Sequence, residues 1–194
     1  MEKIYFWCYL MFLQEVHHVV KNAFSLYECN HIIDIGENQQ LKESEVQDGD
    51  STHRSSNVSW VNDRIVIENV TQKIFQANID SGFKFQLSTI EPLQYSRYEV
   101  DDHYNWHIDS HFEPYDNGMI RKLSFTVILN TDYEGGEFDI TVPNPKNIDT
   151  QITYEKPNIG DLILFPSHIW HKVRPVKSGV RKSLVGWVLG NPFI

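Results

Sequence analysis

The stretch DLILFPSHIWHKVRPVKSGVRKSLVGWVL, Asp161 to Leu189, decides the fold. Three short segments rich in apolar residues, DLILFP, HKVRPV and RKSLVGWVL, follow one another with a turn at KSG. Each has the length of a strand, and the breaks between them carry the Gly, Pro and Ser that tight turns require. The same texture runs back to Phe83. FKFQLSTI, LQYSRYEV, NWHID, KLSFTVILN and GEFDITV read as further strands, punctuated by DYEGGE, PNPKN and KPNIGD. Many short strands with frequent turns predict an antiparallel sandwich or barrel.

The first third has a different texture. In FSLYECNHIIDIGEN, Ser25 and Glu28 form a capping-box pattern ahead of apolar residues at Leu26, Cys29, Ile32 and Ile33, and Gly36 closes the segment. VNDRIVIENVTQKIFQANID predicts a second helix on Ile65, Ile67, Val70, Ile74 and Phe75. Between them, ENQQLKESEVQDGDSTHRSSN is polar and turn-rich, an exposed loop with one short strand near Glu45 and Val46. The expected architecture is α+β: a jelly roll over residues 83–194, supported by a helical and strand region over residues 1–82, as a single structural domain.

The chain has 194 residues, 41% of them hydrophobic, enough for one substantial core. A formal charge of −9 argues against a partner held by its phosphates, so nucleic acid is not expected. The opening MEKIYFWCYLMFLQEVHHVV resembles a signal sequence only superficially. Glu2 cancels its charge, no small-x-small cleavage site follows, and a bilayer span needs roughly 20 apolar residues. It reads as a buried strand or helix, with no membrane partner. Cys8 and Cys29 imply no disulfide framework and point to a reducing, cytoplasmic setting.

Chemistry concentrates in HYNWHIDSHF, His103 to Phe112. On an extended strand His107 and Asp109 share one face, an imidazole and a carboxylate offering two legs of a metal site. A third leg must come from a strand distant in the chain, and SHIWH offers His168 and His171. Ten residues beyond His171 comes Arg181, with Ser183 on the same strand face. An unpaired guanidinium in a barrel interior is costly, so Arg181 calls for an anion.

These residues together resemble the prolyl 4-hydroxylase type of Fe(II)- and 2-oxoglutarate-dependent dioxygenase, whose motif is His-x-Asp, a distal His, and Arg or Lys about ten residues further on. RYEVDDHYNWHID, YEGGEF and HKVRPVKSGVRKSLVGWV carry the likeness, and it runs from Phe24 to the C-terminus with Arg54–Trp60 in the place of a common upstream segment. The resemblance implies that His107, Asp109 and His171 bind Fe(II), selecting His171 over His168. It implies that 2-oxoglutarate chelates the metal, that O2 takes the remaining position, and that the distal carboxylate meets Arg181. Tyr98 and Ser183 would contact the co-substrate, and L-ascorbate would sustain turnover. Arg181 stands where many collagen-type members carry Lys, which moves the likeness toward bacterial, phage and hypoxia-type members.

The implied activity is hydroxylation of a C–H bond, with peptidyl proline the family's usual target and a peptide, protein or small molecule as partner. Plainer readings stand beside it. Tyr98 and Tyr104 are also satisfied as core or rim aromatics. Arg181 could pair with an internal carboxylate. His103 and His111 read as solvated rim residues, and His17, His18, His31 and His53 as structural or surface. Trp106, Trp170 and Trp187 read as packing. The rival from another class is a non-catalytic jelly-roll module holding a structural metal, and nucleic-acid demethylation is disfavoured by the charge.

Overall fold

The computed structural model describes residues 16–44, 53–111, 113–142, 151–155 and 157–193. The apolar opening with Cys8, the strand expected near Glu45 and Val46, and the PNPKN turn lie outside the described residues.

Helix α1 (Leu26–Glu37) begins as its capping box requires. The Ser25 hydroxyl accepts from the Glu28 amide at 3.3 Å, and the Glu28 carboxylate accepts from the Ser25 amide at 2.7 Å. The helix runs through Gly36 to a cap at Asn38. Gly36 is there for packing: a Cβ at this position would lie 2.3 Å from the ring of Tyr95. Helix α2 (Arg64–Asp80) starts at Asp63, whose carboxylate accepts from the Val66 amide at 2.9 Å. Its buried stripe is Val66, Val70, Ile74 and Ala77, while Ile65 is 75% exposed. Of the expected face, Val70 and Ile74 are buried and Ile67 and Phe75 pack against the core, while Ile65 points out and Val66 takes its place.

Fifteen strands lie among the described residues, in chain order β1 (His18–Val20), β2 (Lys42–Glu43), β3 (Arg54–Ser55), β4 (Asn57–Val61), β5 (Thr89–Ile90), β6 (Leu93–Tyr98), β7 (His103–His107) and β8 (Ile120–Ile128). They continue with β9 (Tyr133–Gly135), β10 (Phe138–Thr141), β11 (Gln151–Tyr154), β12 (Leu162–Pro166), β13 (His171–Val173), β14 (Val176–Gly179) and β15 (Arg181–Gly190). An eight-stranded sheet has the order β1-β12-β8-β15-β6-β4-β2, with β5 also on β15. A five-stranded sheet has the order β11-β10-β13-β7-β3, and β14 with β9 makes a separate ribbon. All the ladders are antiparallel.

The large sheet is covered on both faces, which the pleat makes visible along single strands. On β12, Leu162 and Leu164 join the core under the helices, whereas Ile163 and Phe165 join a second core facing the small sheet. On β15, Leu184 and Val188 go to the helices, and Arg181, Ser183, Val185 and Trp187 to the space between the sheets. This is the expected jelly roll with helices on one sheet. The N-terminal third also supplies the strands β1, β2 and β4 to that sheet. No described helix is long and apolar enough to cross a membrane.

Glu28 does more than cap. Its carboxylate also accepts from Asn69 and, at 2.7 Å, from the Lys73 ammonium, both on α2, and Lys73 lies over the Phe24 ring. Burial would raise its pKa, but these donors outweigh that and bring it down from 4.5 to about 2. A depressed carboxylate adds stability that is complete above the unfolded value and lost as pH falls toward the folded one. Glu28→Gln is therefore expected to cost about 2 kcal/mol at pH 7. Denaturant midpoints of the two proteins should converge between pH 4.5 and 2.

Candidate active site

Strand β7 ends at His107, and β13 places His171 directly opposite it in the antiparallel ladder. Asp109 lies two residues past the end of β7, not on the strand. The chain bends there, and the amides of Asp109 and Ser110 donate to the Ser167 carbonyl at 2.9 and 3.1 Å. That bend, not strand alternation, brings the carboxylate to the imidazoles. Asp109 Oδ1 lies 3.7 Å from His107 Nε2, and Oδ2 lies 3.4 Å from His171 Nε2. Metal-ligating atoms of the three residues fall within 4.8 Å of one another.

Both histidines are oriented from behind. His107 Nδ1 lies 2.8 Å from the Asn105 carbonyl and His171 Nδ1 2.9 Å from that of Ile169. A carbonyl only accepts, so each ring carries a proton on Nδ1 and turns Nε2 toward Asp109. Burial, with His171 adding to it, holds the His107 pKa down at about 3, so the imidazole is neutral at pH 7. Burial alone would raise the Asp109 carboxyl, yet His171 and His107 pull it below the ordinary range. The Ser124 hydroxyl and Trp187 indole lower it further, although the indole does not close to hydrogen-bonding geometry. His168 is exposed in the turn before β13, apart from this cluster.

The cluster forms one wall of a cavity of about 710 Å³ between the two sheets. Arg181 lies on the wall formed by the large sheet and is 2% exposed. Its Nη1 donates to Ser183 Oγ at 3.0 Å, its Nε has no partner, and no carboxylate among the described residues lies within ion-pair distance. Tyr98 is its cross-strand neighbour, with the guanidinium 5.3 Å from the ring centre. The internal ion pair weighed for Arg181 is thus not formed. A buried cation without a counter-ion is a strong demand for an anionic ligand.

Tyr104 stacks on His107 at 3.4 Å between ring centres, and Arg54 covers the Tyr104 ring at 4.6 Å. Burial raises the Tyr104 phenol to about 12. Sequence reading missed several wall residues. His53 sets its ring edge-on to Tyr104, with Arg54 beside it. Arg121 donates to both oxygens of Glu91, at 2.8 and 2.6 Å, and to the Asp109 carbonyl at 3.3 Å, and lies over Trp187 at 4.1 Å. Trp187 is packed as expected, while Trp170 is half exposed at the mouth because the turn before β13 turns it outward. His111 is exposed at the same mouth. His103 instead turns to the Asp101 carbonyl.

A family model described as the 2OG-Fe(II) oxygenase superfamily matches residues 93–189. A PKHD-type hydroxylase of Synechococcus sp. is 36% identical over 128 residues, covering 64% of this chain and 53% of its own length. Another from Gloeothece citriformis is 31% identical over 166 residues, covering 79% and 60%. The chain thus spans little more than half the length of these curated relatives. Among solved structures, the viral collagen prolyl hydroxylase of Paramecium bursaria Chlorella virus-1 superposes with a TM-score of 0.68 at 22% identity, covering 91% of this chain and 97% of its own. A Pseudomonas putida prolyl-4-hydroxylase gives 0.70 at 18% identity, covering 89% and 91%. These superpositions bear out the jelly-roll fold.

A depressed histidine pKa favours the folded state above the unfolded value of about 6.5, and that contribution fades as pH falls toward 3. Imidazole 15N NMR of the metal-free protein should therefore find His107 neutral, protonated on Nδ1, from pH 7 down to pH 5. A His107 resonance that titrates near 6.5 would contradict the buried cluster.

Proposed function

Because the chain belongs to the 2OG-Fe(II) oxygenase superfamily, we propose that it is a 2-oxoglutarate-dependent dioxygenase hydroxylating a C–H bond of a peptidyl prolyl residue. His107, Asp109 and His171 hold the Fe(II), and Arg181 with Ser183 receives the distal carboxylate of 2-oxoglutarate. One observation carries the reading: a His/Asp/His cluster and a buried guanidinium without a counter-ion line the same cavity.

The donor set fits the metal. Two imidazole nitrogens and one carboxylate oxygen are the donors typical of a non-haem ferrous site that keeps positions open for co-substrate and oxygen. Bound iron and 2-oxoglutarate supply the oxidising power, with decarboxylation to succinate and carbon dioxide. The chain's own residues bind and orient. Asp109 brings the negative charge, and the Asn105 and Ile169 carbonyls fix the two rings. Tyr104 braces His107 by stacking, with Arg54 closing its other face. Phe138, Phe165 and Val173 keep the inner wall apolar and exclude water.

Arg181 separates this reading from a structural metal module. Such a module has no use for a buried guanidinium on the facing wall, whereas a dicarboxylate co-substrate satisfies it with a planar fork. The exposed mouth, with Trp60 and Trp170 beside the cavity, suits a chain segment better than an enclosed metabolite. The structural neighbours that are prolyl hydroxylases support proline as its reacting residue. The buried free thiol of Cys29 supports a reducing compartment such as the cytoplasm.

Incubation with Fe(II), 2-oxoglutarate, ascorbate and a panel of prolyl peptides should release succinate together with a product heavier by one oxygen. His171→Ala should abolish both, and His168→Ala should leave both nearly intact. Iron-loaded protein that releases no succinate would return the structural module to first place.

Arg181→Ala should leave iron affinity almost unchanged while weakening 2-oxoglutarate by roughly thirtyfold to several thousandfold, the equivalent of about 2–5 kcal/mol for a partly buried charged pair. Arg181→Lys should fall between. Unchanged co-substrate affinity in the alanine variant would remove Arg181 from the site.

A further inference from the structure

Arg181 is fixed at both ends of its side chain and flanked along its stem. Asn130 grips the backbone on either side of it: its Nδ2 donates to the Val180 carbonyl at 2.7 Å, and its Oδ1 accepts from the Lys182 amide at 2.7 Å. The guanidinium is tied to Ser183. Behind the stem stands the turn that joins β9 to β10, where Gly136 has a φ of +63° and its amide donates to the Pro175 carbonyl at 3.1 Å.

A Cβ at position 136 would lie 2.9 Å from Arg181 Cδ, 3.2 Å from Val176 Cγ2 and 3.4 Å from Tyr133 Cε2. Val176 cannot give way easily. It is 1% exposed, its amide donates to the Asp102 carbonyl at 3.1 Å, and its carbonyl accepts from Asp101 at 2.9 Å. The Arg181 backbone cannot retreat from the Asn130 clamp. An added methyl group must therefore displace the arginine side chain itself, toward the cavity it lines.

We infer that Gly136 is a positioning residue for the co-substrate: by carrying no side chain it lets the Arg181 stem pass and so sets where the guanidinium stands in the cavity. This rests on the proposed role of Arg181. It assigns to the EGGEF turn a part in co-substrate affinity that the turn's own backbone requirement does not explain. A glycine kept only for its positive φ would be neutral toward any ligand once the protein is folded.

The test loads the protein with Mn(II), a redox-inert stand-in, and titrates 2-oxoglutarate by calorimetry, with Mn(II) affinity measured separately. Four proteins are compared: wild type, Gly136→Ala, Gly136→Asn and Gly82→Ala. Asn tolerates a positive φ yet still carries a Cβ, so it keeps the steric effect if the alanine variant fails to fold. Gly82 has a φ of +81° with nothing within 4 Å of its would-be Cβ, so Gly82→Ala brings backbone strain alone.

The expected result is a loss of at least about tenfold in 2-oxoglutarate affinity for both position-136 variants, with Mn(II) affinity held within about twofold. Gly82→Ala should match wild type in both. Position-136 variants that bind 2-oxoglutarate like Gly82→Ala overturn the inference and leave the functional reading standing. Parallel loss of Mn(II) and 2-oxoglutarate affinity also overturns it, because general damage then explains the effect. Wild-type protein that binds Mn(II) but no 2-oxoglutarate overturns the functional reading, and the inference with it.

Discussion

The pleat of β15 is the constraint on which the site depends. A strand covered on both faces must send alternate side chains into two environments, and here these are chemically unlike. Leu184 and Val188 complete the core beneath the helices, while Arg181, Ser183, Val185 and Trp187 face the cavity. A slip of one residue would bury Arg181 among leucines and valines and turn Leu184 toward the His/Asp/His cluster. Register is therefore shared by stability and by the site. The ladders to β6 and β8, with the Asn130 clamp beside Arg181, hold it in place.

The opposite wall solves a different problem. Three ionisable side chains are buried together, which is unfavourable for each alone, and the arrangement makes them mutually useful. The His107 imidazole stays neutral, the carboxylate stays charged, and each ring nitrogen not needed in the cavity meets a backbone carbonyl. Asp109 is the single negative group facing the two Nε2 atoms. An arrangement of this kind has its electrostatics completed by a cation, which is why the cluster is better understood as a receptor than as a salt bridge.

Much of this was legible in the chain, and the reasons divide cleanly. The Ser25 and Glu28 capping box and the strands from Leu93 onward are local patterns, and local patterns survive folding, whereas His171 was chosen over His168 by the family resemblance. His107 and Asp109 do come together, but not by strand alternation, since the bend held by Ser167 is a contact across fifty-eight positions that no spacing encodes. Glu91 with Arg121, and Arg54 over Tyr104, were invisible for the same cause. Arg54, Tyr104 and Arg121 lie on different strands and Glu91 lies between β5 and β6, and only the closed barrel brings them together. The polar stretch before Asn57 read as loop because β2 and β3 are two-residue strands of polar side chains, and neighbouring strands make them strands.

The two walls stand on different sheets, and this gives the cavity a ruler. Face-to-face sheets settle about 10 Å apart, a separation set by the bulk of the side chains between them. The interval from the His/Asp/His cluster to the Arg181 guanidinium is therefore a property of the whole sandwich, maintained by Phe138, Phe165 and Val173 as spacers. Whatever spans it must have a fixed length, so the inner half of the site can change its ligand only if the core is rebuilt. The mouth, bordered by loops and the exposed Trp170, carries no such burden. Selection can vary what enters there while the inner gauge stays constant.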